Sequence, residues 1–585
     1  MKRHLSICLS IGLFFTQPQA FATNDNWTDK VDPVLMSKAA NGGAVEMMVI
    51  MAEQADLSAA RYMNTKEEKG NFVFHTLQDL STHTQPVVWE KLESLHAPYH
   101  SYFIVNAVWT KGDIDVIRAM AEMPQVSQVI ENARYTVQQP VQVGVPSYDD
   151  PNTKTNAVEW AISLVKADQV WGMGYKGQGA VVGGQDSGYE WDHPAIKGKY
   201  RGWNGSSADH NHNWHDAIQT GNGGSCGTAS TEPCDDHGHG THTMGTMVGD
   251  DGAGNQVGMA PDAEWIGCRN MDQGAGTFAT YAECFEWFIA PTDLNDQNPM
   301  PSKSPDVINN SWGCPTDEGC NTSNFEAMRV IVSNVKDAGI VVVASAGNSG
   351  PSCNTVEDPP AMYDESFSVG STTSSDNMSS FSSRGNVTVD GSNRMKPDIS
   401  APGSDIRSSY PGGGYTSMSG TSMAGPHVAG LVALMISANP DLAGKVDIIE
   451  DIIEKTAVKL SVNETCGGVS SSTVPNNTFG YGRINALDAI NEVVLTVGQL
   501  NPESQGKAKV FPNPMHNNSV VYVPVNGSSI AYVRITDLNG QLVRTIPGNG
   551  GFSVNLGSSG LAAGAYLLEA VTENNSVFRE KLIVQ

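Results

Sequence analysis

Five short, mostly apolar runs recur through the middle of the chain and alternate with stretches of helical pattern. They are residues 180–184, 264–268, 307–310, 340–345 and 366–370. Runs of this kind predict strands buried on both faces, and their alternation with helices predicts a parallel sheet with helices on both faces. The sequence therefore assigns the central region to the α/β class.

Composition changes on either side of this region divide the chain. At 585 residues the chain is too long for one core. Residues 23–146 predict a small α+β unit that ends in a proline-rich linker, and residues 147–495 form the α/β domain. After a linker at 496–507, residues 508–585 show short alternating runs with Asn-Gly and Gly-Ser turns, which predict an antiparallel β-sandwich.

The first 22 residues have the pattern of a secretory signal peptide. Lys2 and Arg3 precede an apolar run at 5–15, and Ala20-Phe21-Ala22 has the small-x-small pattern of a cleavage site. A membrane anchor is the alternative, but the run is too short to span a bilayer. The mature protein is therefore expected to be exported and soluble.

The cysteines and the net charge agree with export. Cys8 would leave with the signal peptide, and the remaining eight form an even set without zinc-type CxxC spacing, which favours disulfides. Closeness in sequence suggests that Cys226 pairs with Cys234 and Cys314 with Cys320. The net charge of −27 argues against nucleic acid or an anionic membrane surface as a partner.

One segment offers a candidate nucleophile. Residues 420–427, Gly-Thr-Ser-Met-Ala-Gly-Pro-His, place Ser422 between small residues ahead of an apolar run. A helix beginning at about Ser422 would have Pro426 in its first turn and would direct unpaired N–H groups towards negative charge near the serine. The same pattern fits a serine that merely caps a buried helix. A base, an orienting acid and an oxyanion donor are needed to decide between the two.

Candidates for the base and the acid occur upstream. Asp186 follows the first apolar run, at the carboxyl end of a predicted strand, where open α/β sheets place their sites. A turn-capping aspartate is the alternative. The base would be one of His237, His239 and His242, which could also be metal ligands or histidines without a role. A serine nucleophile needs such a base and a third group that orients it.

These segments resemble a known family. The order Asp, His, Ser is that of the subtilisin triad, and three segments resemble the signatures of subtilisin-like serine proteases (subtilases): Asp186-Ser187-Gly188, His239-Gly240-Thr241-His242 and 420–426. Residues 158–160, 174–177 and 193–195 are most similar to the bacillopeptidase F branch. The resemblance implies a subtilisin-like fold and a triad of Asp186, His239 and Ser422.

The same resemblance implies further roles. Asn348, in Ala-Gly-Asn-Ser, would donate to the oxyanion together with the backbone N–H of Ser422. A turn residue is the alternative for Asn348. The family needs no cofactor for catalysis, and structural calcium is expected, with the acidic pairs at 235–236 and 250–251 as candidate ligands.

The resemblance also assigns the substrate-binding residues. Ser311, Trp312 and Gly313 match the edge strand to which an extended peptide adds. Trp312 replaces the family's usual small aliphatic residue, which leaves the shape of the pocket wall open. Glu357 and Asp358 lie in a region that resembles the floor of the P1 pocket. One hypothesis is that one of them favours Lys or Arg at P1, and the alternative is a solvated loop.

The flanking units resemble accessory domains of secreted proteases. Residues 45–137 resemble an inhibitor-type propeptide, which would assist folding, block the active site with its C-terminal tail and be removed autocatalytically between about 138 and 156. An independent ligand-binding domain is the alternative. Residues 508–585 resemble the C-terminal sorting domain of the type IX secretion system, on segments 510–514, 537–540 and 561–568. A carbohydrate-binding or adhesive sandwich is the alternative.

Together these features predict a secreted endopeptidase, extracellular or on the outer cell surface, that hydrolyses peptide bonds through an acyl-enzyme. Its partners would be protein or peptide substrates, its own propeptide and the type IX machinery. The competing class is a surface adhesin or binding protein on a subtilase scaffold whose activity has decayed. An esterase would place its serine in a Gly-x-Ser-x-Gly elbow ahead of the acid and the histidine, and this chain has the opposite order.

Overall fold

The computed structural model describes residues 26–137, 157–315, 318–496 and, with short gaps, 508–584. The predicted signal peptide, the predicted processing segment from residue 138 onward and the linker from residue 497 lie outside the described residues. The described chain forms an N-terminal, a central and a C-terminal domain.

The N-terminal domain is a four-stranded antiparallel sheet with four helices. The strands lie in the order Tyr99–Tyr102, Ala107–Gly112, Val45–Met51 and Val126–Glu131. The helices are Pro33–Ala40, Lys66–Thr84, Pro86–Ser94 and Ile114–Ala121. The sequence pattern of residues 101–109 predicts one continuous strand, and this prediction is wrong. Asn106 adopts a φ of 39°, a left-handed conformation that asparagine tolerates, so the chain turns and forms two paired strands.

The central domain is built on a seven-stranded parallel sheet. Its strands lie in the order Ile399–Pro402, Phe367–Thr372, Val341–Ser345, Val307–Asn310, Val181–Asp186, Glu264–Arg269 and Trp214–Asp216. The five central strands are those that the sequence predicts. The two edge strands were missed, because they are short and do not stand out as apolar runs.

Helices cover both faces of this sheet, as the α/β assignment predicts. Successive residues of one strand face opposite cores: Val342 packs with the helices Phe278–Ile289 and Phe325–Asp337. Val341 and Val343 pack with the second group of helices, His239–Val248, Thr421–Ala438, Val446–Thr456 and Ala486–Thr496. Two short helices, Trp160–Leu164 and Ala167–Gly172, complete the domain.

The helix Thr421–Ala438 lies at the centre of the second core. It packs against five strands of the sheet and against the helix His239–Val248. Among the described residues it is a helix with the length and apolarity of a membrane span, but 89% of it is buried inside the protein. Its apolar character is therefore explained by its place in the core.

The C-terminal domain consists of two small antiparallel sheets around one core. One sheet contains Lys509–Phe511, Val520–Tyr522 and Ser553–Asn555, and the other contains Leu542–Pro547, Ile530–Thr536, Gly564–Thr572 and Val577–Val584. Residues of both sheets, including Val521, Val533 and Leu568, share the core. This arrangement agrees with the predicted sandwich.

Four disulfides cross-link the central domain. They join Cys226 to Cys234, Cys268 to Cys284, Cys314 to Cys320 and Cys353 to Cys466. The two pairs suggested by closeness in sequence are confirmed. The last pair spans 113 residues and closes by far the longest loop.

We expect this long-range disulfide to contribute most to stability, because the entropy that a cross-link removes from the unfolded chain grows with loop length. Compared with the loss of Cys226–Cys234, with its separation of 8, the double substitution Cys353→Ser/Cys466→Ser should lower the free energy of unfolding by about 2 kcal/mol more. Urea unfolding followed by circular dichroism tests this. Equal losses for the two disulfides would contradict it.

Candidate active site

The helix that carries Ser422 begins at Thr421, and Gly420 precedes it as the cap residue. Pro426 lies in the second turn, so its predicted place in the first turn is wrong. In a regular helix the N–H of residue 426 would donate to the carbonyl of Ser422, and proline has no N–H. The hydroxyl of Ser311 donates to that carbonyl instead, at 2.9 Å. Pro426 is tolerated because a side chain from the neighbouring segment replaces the missing bond.

Asp186 and His239 form a buried hydrogen-bonded pair. His239 Nδ1 lies 2.7 Å from Asp186 Oδ1, and both side chains are almost completely inaccessible to solvent. Asp186 also accepts a hydrogen bond from the N–H of Ser187 at 2.7 Å. The strand Val181–Asp186 ends at the acid and the helix His239–Val248 begins at the base. The pair is therefore formed where a strand end meets a helix start.

The carboxylate of Asp235 holds these two elements together. Its Oδ1 accepts hydrogen bonds from Ser187 Oγ (2.9 Å) and from the N–H groups of His237 (3.0 Å) and Gly238 (2.7 Å). Its Oδ2 accepts from the N–H and the hydroxyl of Thr241, at 2.9 and 2.6 Å. Sequence reasoning named Asp235 only as a candidate calcium ligand. Its position four residues before His239 is the sequence feature that could have indicated an acid bonded to the N–H groups at the start of that helix.

The surroundings of the three histidines raise the pKa of one and lower the pKa of the other two. Burial lowers the pKa of His239, but the charge of Asp186 and its hydrogen bond, with a further contribution from Asp235, outweigh burial and raise that pKa overall. Burial and the neighbouring His239 lower the pKa of His237, and they lower that of His242 to about 3. His242 Nε2 is 3.0 Å from the carbonyl of Ile406 and 3.1 Å from that of Thr416, so it is directed at the backbone. His239 is the histidine arranged to gain a proton.

Ser422 and the imidazole of His239 are not hydrogen-bonded to each other in this structure. Ser422 Oγ donates to the carbonyl of Ser311 at 3.3 Å. His239 Nε2 is buried and has no hydrogen-bond partner among the atoms that the structure describes. Catalytic hydrogen bonds are often long or absent before substrate binds. The free Nε2 lone pair and the serine hydroxyl thus remain available to each other.

Thr421 fixes the orientation of the Asn348 amide. Asn348 Oδ1 accepts hydrogen bonds from the N–H of Thr421 at 2.9 Å and from its hydroxyl at 3.0 Å. With the oxygen held on that side, the NH₂ group is directed to the other. Asn348 and Ser422 line the same cleft. Thr421 was not singled out from the sequence, although it directly precedes Ser422.

The segment Ser311 to Gly313 forms one wall of that cleft. The Trp312 side chain is 3% exposed and stacks on Tyr281 with ring centroids 3.9 Å apart. Its ring therefore packs into the hydrophobic core, together with Phe285. This settles the question that the sequence left open, because the bulk of Trp312 is placed away from the cleft.

The end of the N-terminal domain pairs with the central domain close to Tyr281. The strand Arg134–Thr136 pairs antiparallel with Ala275–Thr277, and the N–H of Val137 donates to the carbonyl of Gly274 at 2.7 Å. The buried ring of Tyr135 stacks on Tyr281, with centroids 5.6 Å apart. The N-terminal tail therefore runs as an added strand towards the histidine segment.

Comparison with known proteins identifies the family. Residues 177–482 match the model of the subtilase family, which is more than half of the chain. The chain belongs to the subtilase family of serine proteases. Residues 509–585 match the secretion system C-terminal sorting domain, so this subtilase is secreted. Subtilases need no cofactor for catalysis.

Several Bacillus proteases are similar to this subtilase. Bacillopeptidase F of Bacillus subtilis (strain 168) is 34% identical over 498 residues, which cover 83% of this chain and 31% of that protein. Subtilisin DY of Bacillus licheniformis is 34% identical over 289 residues, 49% of this chain and 87% of that protein. Subtilisin E of Bacillus subtilis (strain 168) is 33% identical over 330 residues, which cover 56% of this chain and 69% of that protein. The chain thus spans about a third of the length of Bacillopeptidase F.

We expect Asp235→Asn to move the acidic limb of the pH profile of kcat/KM to lower pH. The charge of Asp235 raises the pKa of His239, and the neutral imidazole is the form that can act as a base. The new amide also turns a donor towards Thr241 or Gly238, so misplacement of His239 should reduce kcat about tenfold or more. Asp192→Asn, at an exposed acid nearby, is the control. An unshifted acidic limb would contradict the electrostatic role.

Proposed function

We propose that this subtilase is a secreted endopeptidase that hydrolyses peptide bonds in proteins through an acyl-enzyme intermediate. The observation that carries the proposal is the buried 2.7 Å contact between His239 Nδ1 and Asp186 Oδ1. It leaves Nε2 of His239 without a partner among the described atoms, on a helix packed against the helix of Ser422. Acid, base and nucleophile follow each other in the order of the subtilisin triad.

In the acylation step, Ser422 Oγ attacks the carbonyl carbon of the scissile bond while His239 Nε2 takes up the hydroxyl proton. Asp186 accepts from Nδ1–H, which keeps Nε2 as the acceptor, and its charge stabilises the imidazolium. The serine hydroxyl has to give up its hydrogen bond to the carbonyl of Ser311 for this step, so that its proton turns towards His239.

The tetrahedral intermediate places negative charge on the former carbonyl oxygen. The amide NH₂ of Asn348, oriented by Thr421, and the backbone N–H of Ser422 would donate to this oxyanion. The start of the helix Thr421–Ala438 adds the favourable end of its dipole. His239 then gives its proton to the leaving amine, and water repeats the sequence on the acyl ester to release Ser422.

Two substitutions test this mechanism. Ser422→Ala should abolish peptide hydrolysis and covalent labelling by a fluorophosphonate, because the nucleophile is lost. Asn348→Ala should lower kcat about a hundredfold to a thousandfold, the loss known for such a donor in a subtilisin, with a small effect on KM. Asn393→Ala, at an exposed asparagine, is the matched control.

The same labelling experiment separates this proposal from its competitor. A binding protein with a decayed site would show no labelling of the processed wild-type chain. Labelling that persists in Ser422→Ala would equally reject Ser422 as the nucleophile.

We further propose that the N-terminal domain is an inhibitory propeptide. Its tail strand Arg134–Thr136 occupies the sheet edge at Ala275–Thr277, which is how an extended substrate would bind. Glu286, on the helix Phe278–Ile289, accepts hydrogen bonds from the N–H groups of Phe103 (2.6 Å) and Ile104 (2.9 Å). Side chains of both domains share one hydrophobic core. The tail would thereby be held along the groove until the chain is cut in the segment that follows Val137.

The buried Glu286 predicts that this inhibition weakens as the pH rises. Burial raises the pKa of Glu286 to about 8, although the N–H groups of Ile104 and Phe103 lower it, and the charge of Glu283 raises it further. In the separated protease, where the carboxyl would face solvent, we expect a pKa near 4.5. The complex then binds the extra proton, so its stability is fully present below the lower value and is lost as the pH rises through the upper one.

The inhibition constant of the isolated N-terminal domain, added to the mature protease, measures this effect. It should increase with pH between about 4.5 and 8 for the wild type. Glu286→Gln keeps an oxygen acceptor but does not titrate, so the inhibition constant should lose that pH dependence. A variant with an unchanged slope would show that another group is responsible.

Several oxygens of the two acidic pairs that the sequence offers as calcium ligands accept hydrogen bonds within the chain. Asp235 is engaged as described, and Asp236 is paired with the buried guanidinium of Arg269. Asp250 Oδ1 accepts from the N–H of Gly252, and Asp251 Oδ1 accepts from the N–H groups of Ala253 and Asn255. Structural calcium at these pairs stays an expectation from the family.

A further inference from the structure

A buried acidic side chain lines the cleft beside Ser422. The described residues around this cleft are Ser311, Trp312, Gly313, Ser345, Gly347, Asn348, Asp358, Thr421 and Ser422. Asp358 is the one acidic residue in this set, and the set contains no basic residue. Of the two acids that the sequence left open, Asp358 is 8% exposed and lines the cleft, whereas the half-buried Glu357 does not. The alternative of a solvated loop is therefore wrong for Asp358.

Two glycines give a substrate side chain access to this carboxylate. A Cβ atom at Gly313 would lie 3.1 Å from Asp358 Cβ and 3.4 Å from Asp358 Oδ2. A Cβ atom at Gly347 would lie 3.8 Å from the same Oδ2. Both walls next to Asp358 are thus backbone without side chains. We call the space that is bordered by Gly313, Gly347 and Asp358 the slot.

Two other polar side chains of the slot are hydrogen-bonded within the protein. The hydroxyl of Ser311 donates to the carbonyl of Ser422, and the oxygen of the Asn348 amide is held by Thr421. The Trp312 ring packs away into the core against Tyr281. A Lys or Arg side chain of the substrate would bring a positive charge and hydrogen-bond donors to the Asp358 carboxylate.

We propose that Asp358 determines the residue preference at P1 and selects Lys or Arg. This inference rests on the proposed function, because the slot becomes the P1 pocket only if Ser422 is the nucleophile. The unbranched stems of Lys and Arg would pass between Gly313 and Gly347, where no side chain stands in their way, and would widen the slot as they enter. Their charged ends would then meet the carboxylate. The substrate class is therefore proteins cut after basic residues.

Matched peptide substrates that differ only at P1 test the inference. Lys, Arg, norleucine, Ala and Phe are compared by kcat/KM on the processed wild-type protease. Norleucine keeps the aliphatic stem without the charge, so Lys and Arg should exceed it by about tenfold to a hundredfold, the range for a charge-assisted hydrogen bond in a buried site.

Variants of Asp358 and Glu357 show which of the two carboxylates causes the preference for Lys and Arg at P1. Asp358→Asn should remove most of the advantage of Lys and Arg over norleucine and leave norleucine itself nearly unchanged. Asp358→Glu keeps the charge and should retain a basic preference. Glu357→Gln is the matched control and should behave as the wild type. If Asp358→Asn does not fold, the wild-type profile together with Asp358→Glu still decides the matter.

Two outcomes would overturn the proposal. The free volume of the slot is only about 20 Å³, so a preference for Ala over Lys and Arg would show that Asp358 fills the pocket instead of serving it. Equal rates for Lys, Arg and norleucine would show that the carboxylate does not reach the substrate. Titration with a fluorophosphonate distinguishes these results from failure of the proposed function, because in both cases Ser422 would still be labelled.

Discussion

The active site depends on the carboxylate of Asp235, which joins two elements that are distant in sequence. One oxygen holds Ser187, next to Asp186, and both oxygens hold the first residues of the helix that begins at His239. Because the 2.7 Å contact between His239 and Asp186 is set by these two backbones, a single side chain determines its geometry. The charge of Asp235 also contributes to the raised pKa of His239. Asp235 thus acts mainly on position, and it adds to the larger electrostatic effect of Asp186.

A second constraint acts at the start of the nucleophile helix. Pro426 cannot donate to the carbonyl of Ser422, and Ser311 supplies the missing hydrogen bond. The same short segment contributes the carbonyl that Ser422 Oγ contacts and, through Gly313, an open wall of the cleft. The wall of the cleft and Ser422 are therefore coupled through direct hydrogen bonds. Displacement of the segment would disturb both together.

The N-terminal domain is integrated into the protease by the same kinds of interaction that build its interior. Apolar residues of both domains share a core, and backbone pairing continues from Ala275–Thr277 to Arg134–Thr136. At Glu286 the interface buries a carboxyl whose pKa is raised. The contact between the two domains is therefore expected to depend on the protonation of Glu286.

The sequence by itself determined the five central strands, two disulfides and the three motifs, because apolar periodicity and short-range spacing are local properties. Residue types at strand and helix ends made Asp186, Ser422 and one of three histidines candidates, and the resemblance to subtilase signatures selected His239; this triad stays a prediction. Only the tertiary structure decided between Glu357 and Asp358, placed the Trp312 ring in the core, and revealed Asp235, Thr421 and Glu286 as partners. Those decisions depend on which side chains meet after distant segments pack, and no local pattern encodes that.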